Sequence, residues 1–145
     1  MKTLGFTSFA VGLLVVLTVQ GGDDAQKKDK AAIEGAWKIV SFETNKGKDA
    51  NFEGAMLDFD KDGKALNFTR NGETKKGSFK INAAAKPKEI DIKPGDEDKT
   101  FEGIYELDKN KLKLCLAPDA GDGRPGEFAL KDGKNFLLIL LERAK

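Results

Sequence analysis

Gly35-Ala36-Trp37-Lys38-Ile39-Val40-Ser41 is the stretch that decides the fold predicted for this chain. It holds the only tryptophan among 145 residues and begins the first strand-like segment. Further strand-like segments, separated by turn residues, follow it to the C-terminus. A glycine two residues before a tryptophan at this point indicates a small up-and-down β-barrel that closes over the indole.

Apolar and polar residues alternate along the rest of the chain, which is the pattern of half-buried strands. Asn71-Gly72 and similar pairs between them favour tight hairpins. Connections this short cannot contain crossover helices, so the sequence predicts an all-β, antiparallel meander of eight or nine strands that closes into a barrel. The predicted strands are residues 36–44, 54–60, 64–70, 74–82, 88–93, 100–108, 111–117, 126–131 and 135–142.

The first and last strands are apolar on both faces, unlike the others. Val40 and Phe42 are predicted to face away from Trp37, and residues 136–141 are continuously apolar. Strands buried on both faces show such runs, so these two strands are predicted to be neighbours that close the sheet. Their outer face needs a cover, either the segment around Ile33 or a second subunit. A protein partner or a homodimer would contact Val40, Phe42, Ile139 and Leu141.

Several stretches in the same order resemble a family of exported, lipocalin-like domains of unknown function from planctomycete bacteria. The matching stretches are residues 34–41, 103–107, 112–115, 124–128 and the Leu-rich strand that ends at Glu142-Arg143. The resemblance spans Ile33 to Arg143 and implies a calycin-type barrel, but it implies no activity. It also implies a structural pairing in which Arg143 packs across Trp37. Gly35, two residues before Trp37, is likewise predicted to have a structural role.

The first 32 residues are predicted to lie outside the barrel domain, which covers residues 33–145. Residues 3–22 carry no charge and are apolar at their centre, as in a secretory signal. We predict a signal peptide over residues 1–21 and a charged, mobile leader over residues 22–32, with a helical turn at residues 31–34. The protein is then exported to the periplasm, the cell envelope or the medium. The alternative, an uncleaved segment, is the only predicted route to membrane attachment.

Composition argues against several classes of function. The chain has 25 basic and 24 acidic residues, and loss of Lys2 with the signal leaves 24 of each, whereas a nucleic-acid-binding protein would show a basic excess. There is no histidine, which excludes Ser-His-Asp and Cys-His catalysis. Nothing places two acids in an apolar pocket, so we expect no enzyme activity and no cofactor or metal. Cys115 is the only cysteine and is predicted to pack as a small hydrophobe.

A small apolar ligand inside the barrel is the first functional hypothesis. Phe79, Tyr105 and Leu114 are predicted to line its cavity, although the large inward side chains leave little room in so narrow a barrel. Arg124, in the irregular loop at residues 118–126, could bind a carboxylate or phosphate, or it could hold the chain where it enters the next strand. The second hypothesis is a cell-envelope interaction module. Residues 58–63 imitate half of a calcium loop, but an Asp-rich hairpin turn is the preferred interpretation.

Overall fold

The computed structural model describes residues 24–95 and 98–144, which form one helix and nine strands. The helix, α1, covers residues 24–33. The strands are β1 (Gly35–Thr44), β2 (Gly47–Lys48), β3 (Met56–Phe59), β4 (Ala65–Arg70), β5 (Glu73–Asn82), β6 (Glu89–Pro94), β7 (Phe101–Asp108), β8 (Lys111–Ala117) and β9 (Leu137–Arg143). The predicted signal peptide lies outside the described residues.

The strands form a closed antiparallel barrel. Sequential neighbours pair from β3 to β9, β1 pairs with β3, and β9 returns to pair with β1, while the two-residue β2 adds to β1 outside this ring. The predicted meander and the predicted contact between the first and last strands are therefore confirmed. The barrel has eight strands. The interior of an eight-stranded barrel is just wide enough for its inward side chains to fill it.

A β-bulge in β1 changes the face on which Phe42 lies. The pairing with β9 shifts between Ile39 and Ser41, so Val40 is the extra residue of the bulge. An extra residue reverses the alternation beyond it. Phe42 therefore lies inside the barrel with Trp37 and Ile39, and the predicted outward position of Phe42 is wrong.

Helix α1 closes one end of the barrel. Ile33, at its last turn, is fully buried in the interior cluster, and the Gln26 side chain bonds to the backbone of Ile81, near the end of β5, and of Ala83, just after it. The prediction of a mobile charged leader is wrong for this segment, because residues 26, 29 and 33 share one face of the helix and that face contacts the barrel. The helix covers the end of the barrel and not the outside of the closing strands.

The outer face of β7, β8 and β9 is covered by residues 118–136, here called the β8–β9 loop. Phe128, Leu130 and Phe136 pack there on Cys115 and Leu138 in a second hydrophobic cluster. A strand at residues 126–131 was predicted, but this segment is irregular. Its apolar side chains cover the outer face of the sheet. The segment has no strand to pair with, because β8 and β9 pair with each other.

Candidate functional site

The closed end of the barrel is built on Trp37 and Arg143. The indole is fully buried, its Nε1 donates to the Ile33 carbonyl at 2.8 Å, and the Arg143 guanidinium lies 4.0 Å from the ring centroid. Arg143 also donates to the carbonyls of Glu34 and Ala32. The predicted pairing of Arg143 with Trp37 is present, as a cation–π contact that also binds the end of α1.

Gly35 has a specific reason to be glycine. Its φ is +107°, and a Cβ at this position would lie 3.1 Å from the Arg143 guanidinium. A side chain here would strain the backbone and displace the cation from the indole. The three residues predicted to have structural roles, Gly35, Trp37 and Arg143, thus form one contact group.

The predicted ligand-lining residues Phe79, Tyr105 and Leu114 lie in this closed half, where the interior is filled. Phe79 packs edge-on against Phe59 at 4.9 Å between ring centroids, and Leu114 is fully buried. The Tyr105 hydroxyl donates to Asp29 at 2.7 Å, and Lys88 pairs with the same carboxylate oxygen at 2.8 Å. None of the three predicted residues lines the cavity described below.

Burial in this half makes Tyr105 a titratable element of stability. Desolvation, followed by the hydrogen bond to Asp29, raises the pKa of Tyr105 far above its usual value of about 10. The neutral phenol is therefore favoured in the folded state, and its contribution is complete below pH 10 and declines as the pH rises towards the folded pKa. We expect the free energy of unfolding to fall by about 1 kcal/mol more between pH 10 and 11 in the wild type than in Tyr105→Phe. Urea denaturation at the two pH values measures the free energy of unfolding of each protein. An equal decrease in the wild type and in Tyr105→Phe would contradict this expectation.

An apolar cavity of about 320 Å³ occupies the opposite half of the barrel. Its walls come from all eight barrel strands and from the short 3₁₀ turn at Ala50–Phe52. The side chains of Phe52, Phe68 and Phe101 in this wall are only half-buried, so the cavity is partly open to solvent. The remaining apolar lining residues are Ile39, Phe42, Leu57, Leu66, Ile92, Pro94, Leu116, Leu137 and Ile139.

Phe52 forms part of the open end. It stacks on Phe42 at 4.3 Å between centroids, and the Arg70 guanidinium lies 4.5 Å from its ring centroid. The 3₁₀ turn that carries Phe52 is held by Asp49, whose side chain accepts from the Asn51 amide. The aromatic wall at the entrance is thus positioned by both packing and a cap.

A second, polar pocket of about 280 Å³ adjoins the apolar cavity at the β4–β5 hairpin. Phe68 and Lys75 line both spaces. The polar pocket is completed by Arg70, Asn71 and Glu73. This pocket was not predicted from the sequence, although the alternation of β5 contained a signal. Lys75 lies an even number of residues from the inward-facing Phe79 and Ile81, so it faces the interior as well. A cation at such a position indicates where the apolar interior of a barrel ends.

Arg124 is on the outside of the barrel and is already occupied. Its guanidinium donates to the carbonyls of Ile90 and Gly103, and Nη2 lies 2.8 Å from the Asp91 carboxylate. Two further carboxylates, Glu89 and Glu102, lie within 4 Å of it. Arg124 therefore attaches the β8–β9 loop to β6 and β7, and its prediction as an anion site is not supported by its position.

Cys115 and the Asp-rich turn have structural surroundings. Cys115 is fully buried beneath the β8–β9 loop, with Sγ 3.9 Å from the Ala129 carbonyl, and burial raises the pKa of its thiol. In the turn after β3, the Asp60 carboxylate accepts from the amides of Lys64 and Ala65, which holds the pKa of Asp60 below its usual range. Residues 58–63 are thus a hairpin turn, and no group of three or more acidic or cysteine side chains in residues 24–95 and 98–144 is arranged so that it could hold a metal ion.

The surface predicted for a protein partner is much smaller than expected. Three of the four residues predicted for this surface are buried inside the barrel, namely Phe42, Ile139 and Leu141. Val40 and Leu140, 39% and 37% exposed, are the large hydrophobic residues left outside within the described part of the chain. Scattered exposed apolar residues are normal on soluble proteins and do not define an interface.

Fold and site together define a lipocalin-like barrel with one sealed end and one open, apolar end. The chain matches none of the protein-family models against which it was compared and none of the curated proteins. The resemblance to exported planctomycete domains therefore stays a prediction, whereas the barrel that it implies is present. No helix within the described ranges is long and apolar enough to cross a membrane.

Proposed function

We propose that this protein is an exported, non-enzymatic binding protein that holds a small apolar molecule in the open half of its barrel. The observation that carries the proposal is the cavity of about 320 Å³, walled mainly by aliphatic and aromatic side chains, with Lys75, Lys76 and Lys93 also in its lining. Its volume is at the lower end of the roughly 300–1,000 Å³ of small-molecule sites. Export is supported by the uncharged segment at residues 3–22.

The architecture supports binding at one end only. Helix α1, Trp37 and Arg143 fill the sealed end, so a ligand has a floor on which to rest and one entrance. Burial of an apolar chain in such a cavity is favourable by about 0.8 kcal/mol per methylene, before the cost of association. Nothing in this mechanism requires a reacting side chain, which agrees with the absence of histidine from the sequence.

The proposal is tested by calorimetric titration with 1-decanol, a neutral single-chain probe. We expect saturable binding of one molecule per chain. Ile139 lines the cavity, whereas its neighbour Leu140 faces outwards on the same strand. Ile139→Phe should therefore abolish binding by placing a ring in the cavity, and the matched control Leu140→Phe should bind like the wild type.

Circular dichroism must show the same barrel in both variants for the comparison to be valid. If Ile139→Phe does not fold, Leu137→Phe, at a half-buried position in the cavity wall, replaces it and should weaken decanol binding. Absence of decanol binding to the wild type would overturn the proposal. Equal binding by wild type and a folded Ile139→Phe would overturn the assignment to this cavity. A concentration-dependent dimer that buries Val40 and Leu140, together with no decanol binding, would favour the interaction-module alternative.

A further inference from the structure

We infer that the ligand is a single-chain amphiphile with an anionic head, its tail in the apolar cavity and its head in the polar pocket beside Arg70 and Lys75. This inference rests on the proposed function and adds the chemical class of the ligand. It is carried by the contact between two spaces of different character, which share Phe68 and Lys75.

The register of the β4–β5 hairpin explains why these cations lie at the entrance. Phe68 is paired with Lys75, and Arg70 with Glu73. The inward-facing positions of both strands therefore continue beyond the last apolar residues, and there they are occupied by charged residues. Leu66 and Phe68 precede Arg70 on one strand, and Lys75 precedes Gly77 and Phe79 on the other. A molecule lying along the inner wall thus passes from apolar to cationic surroundings.

The cations are available to a ligand. Within residues 24–95 and 98–144, neither Arg70 nor Lys75 forms an ion pair, in contrast to Arg124, which contacts three carboxylates. Arg70 is held in place by its cation–π contact with Phe52, which leaves its N–H donors for an oxygen acceptor. Planar guanidinium groups bind carboxylates and phosphates by paired hydrogen bonds, and Lys75 adds a second positive charge.

The same pocket contains one opposing charge, Glu73. Two cations and one carboxylate leave a net positive pocket, which favours a head with a single negative group over a neutral or cationic one. The size of the apolar cavity limits the tail to one chain. Free acids and phosphate monoesters share this chemistry, and the protein is inferred to bind them as monomers taken from solution.

The test compares heads on one tail length in calorimetric titrations of the full mature chain. Decanoate and decyl phosphate should bind about three- to tenfold more tightly than 1-decanol, and decyltrimethylammonium more weakly than 1-decanol. Raising the salt concentration should remove the advantage of decanoate without changing the binding of 1-decanol. Octanoate should bind about tenfold more weakly than decanoate, because two fewer methylenes are buried.

Substitutions assign the head to its pocket. In Arg70→Gln combined with Lys75→Gln, the advantage of decanoate over 1-decanol should disappear, so that the two probes bind this variant about equally. Lys80→Gln removes a lysine from the exposed face of the same strand and should have no effect. Glu73→Gln should strengthen decanoate binding. If the double variant does not fold, Lys75→Gln alone should lower decanoate affinity about threefold.

The outcomes separate the two proposals. If 1-decanol and decanoate bind equally to the wild type, the anionic head is wrong while the apolar binding function stands. If neither binds, both proposals fail. If decanoate keeps its advantage in the double variant, the head lies elsewhere. If the protein instead binds phosphatidylglycerol vesicles through Arg70 and Lys75 and does not bind monomeric decanoate, the site recognises a membrane surface and the inference is overturned.

Discussion

Trp37→Ala should lower the free energy of unfolding by about 4 kcal/mol, the largest effect that we expect from any single substitution. The indole is fully buried, and its removal leaves a cavity between Ile33 and the barrel. It also removes the face on which the Arg143 cation lies. For a domain of this size, the loss corresponds to a decrease in melting temperature of about 15 °C.

Circular dichroism measures this change, since the variant lacks the only tryptophan and so its fluorescence signal. Trp37→Phe is the control, because it keeps an aromatic face for Arg143 and most of the buried area but loses the hydrogen bond to Ile33. We expect it to cost less than half as much as Trp37→Ala. Equal losses in the two variants would show that the cavity and the cation–π contact contribute little.

Asp29→Ala should lower the free energy of unfolding by about 2 kcal/mol and detach α1 from the barrel. Asp29 is only 6% exposed and accepts from the buried Tyr105 hydroxyl. Alanine leaves that hydroxyl without a partner, which costs about 1–3 kcal/mol, and removes the ion pair with Lys88. The higher helix propensity of alanine offsets about 0.5 kcal/mol of the loss.

Asp29→Asn is the matched control, because its amide oxygen still accepts from Tyr105 while the charge is lost. Lys88 is 41% exposed, so the ion pair contributes little and the asparagine variant should lose under 1 kcal/mol. Faster hydrogen exchange at the amides of residues 26–33 in Asp29→Ala would report the detachment of the helix. Unchanged exchange together with unchanged stability would mean that α1 is held by its other contacts, including those of Ile33, Gln26 and Arg143.

The barrel could be predicted because its signals are local. Alternation marks each strand, and Asn71 and Gly72 form a two-residue turn with φ of 53° and 81°, as expected for a tight hairpin. Of the helix over residues 24–33, only the last turn was predicted, because the polar residues before it suggest a solvated segment until Asp29 and Gln26 are placed against their partners. The burial of Phe42 was missed because a one-residue bulge leaves no clear mark in an apolar strand.

The sequence predicted that the candidate site is an apolar space inside the barrel, but it did not predict which residues line that space. An apolar interior follows from the inward residues, yet Phe79, Tyr105 and Leu114 are as apolar or aromatic as the residues that line the cavity. Whether a given layer is filled depends on neighbours from several strands and on what closes each end. Tyr105 is engaged by Asp29, 76 residues earlier in the chain, and no local pattern contains that contact.

The sequence by itself therefore determined a closed antiparallel barrel, because alternation and short turns restrict how the strands can pack. The position of Arg143 across the Trp37 indole was implied by the resemblance to lipocalin-like domains. Only the tertiary structure decided that α1 seals this base, that the β8–β9 loop covers the outside, and that the empty half of the interior meets Arg70 and Lys75 at the other end. These features depend on contacts between side chains that are distant in sequence. How completely such side chains fill the space between them, and which charges are paired, does not follow from local alternation.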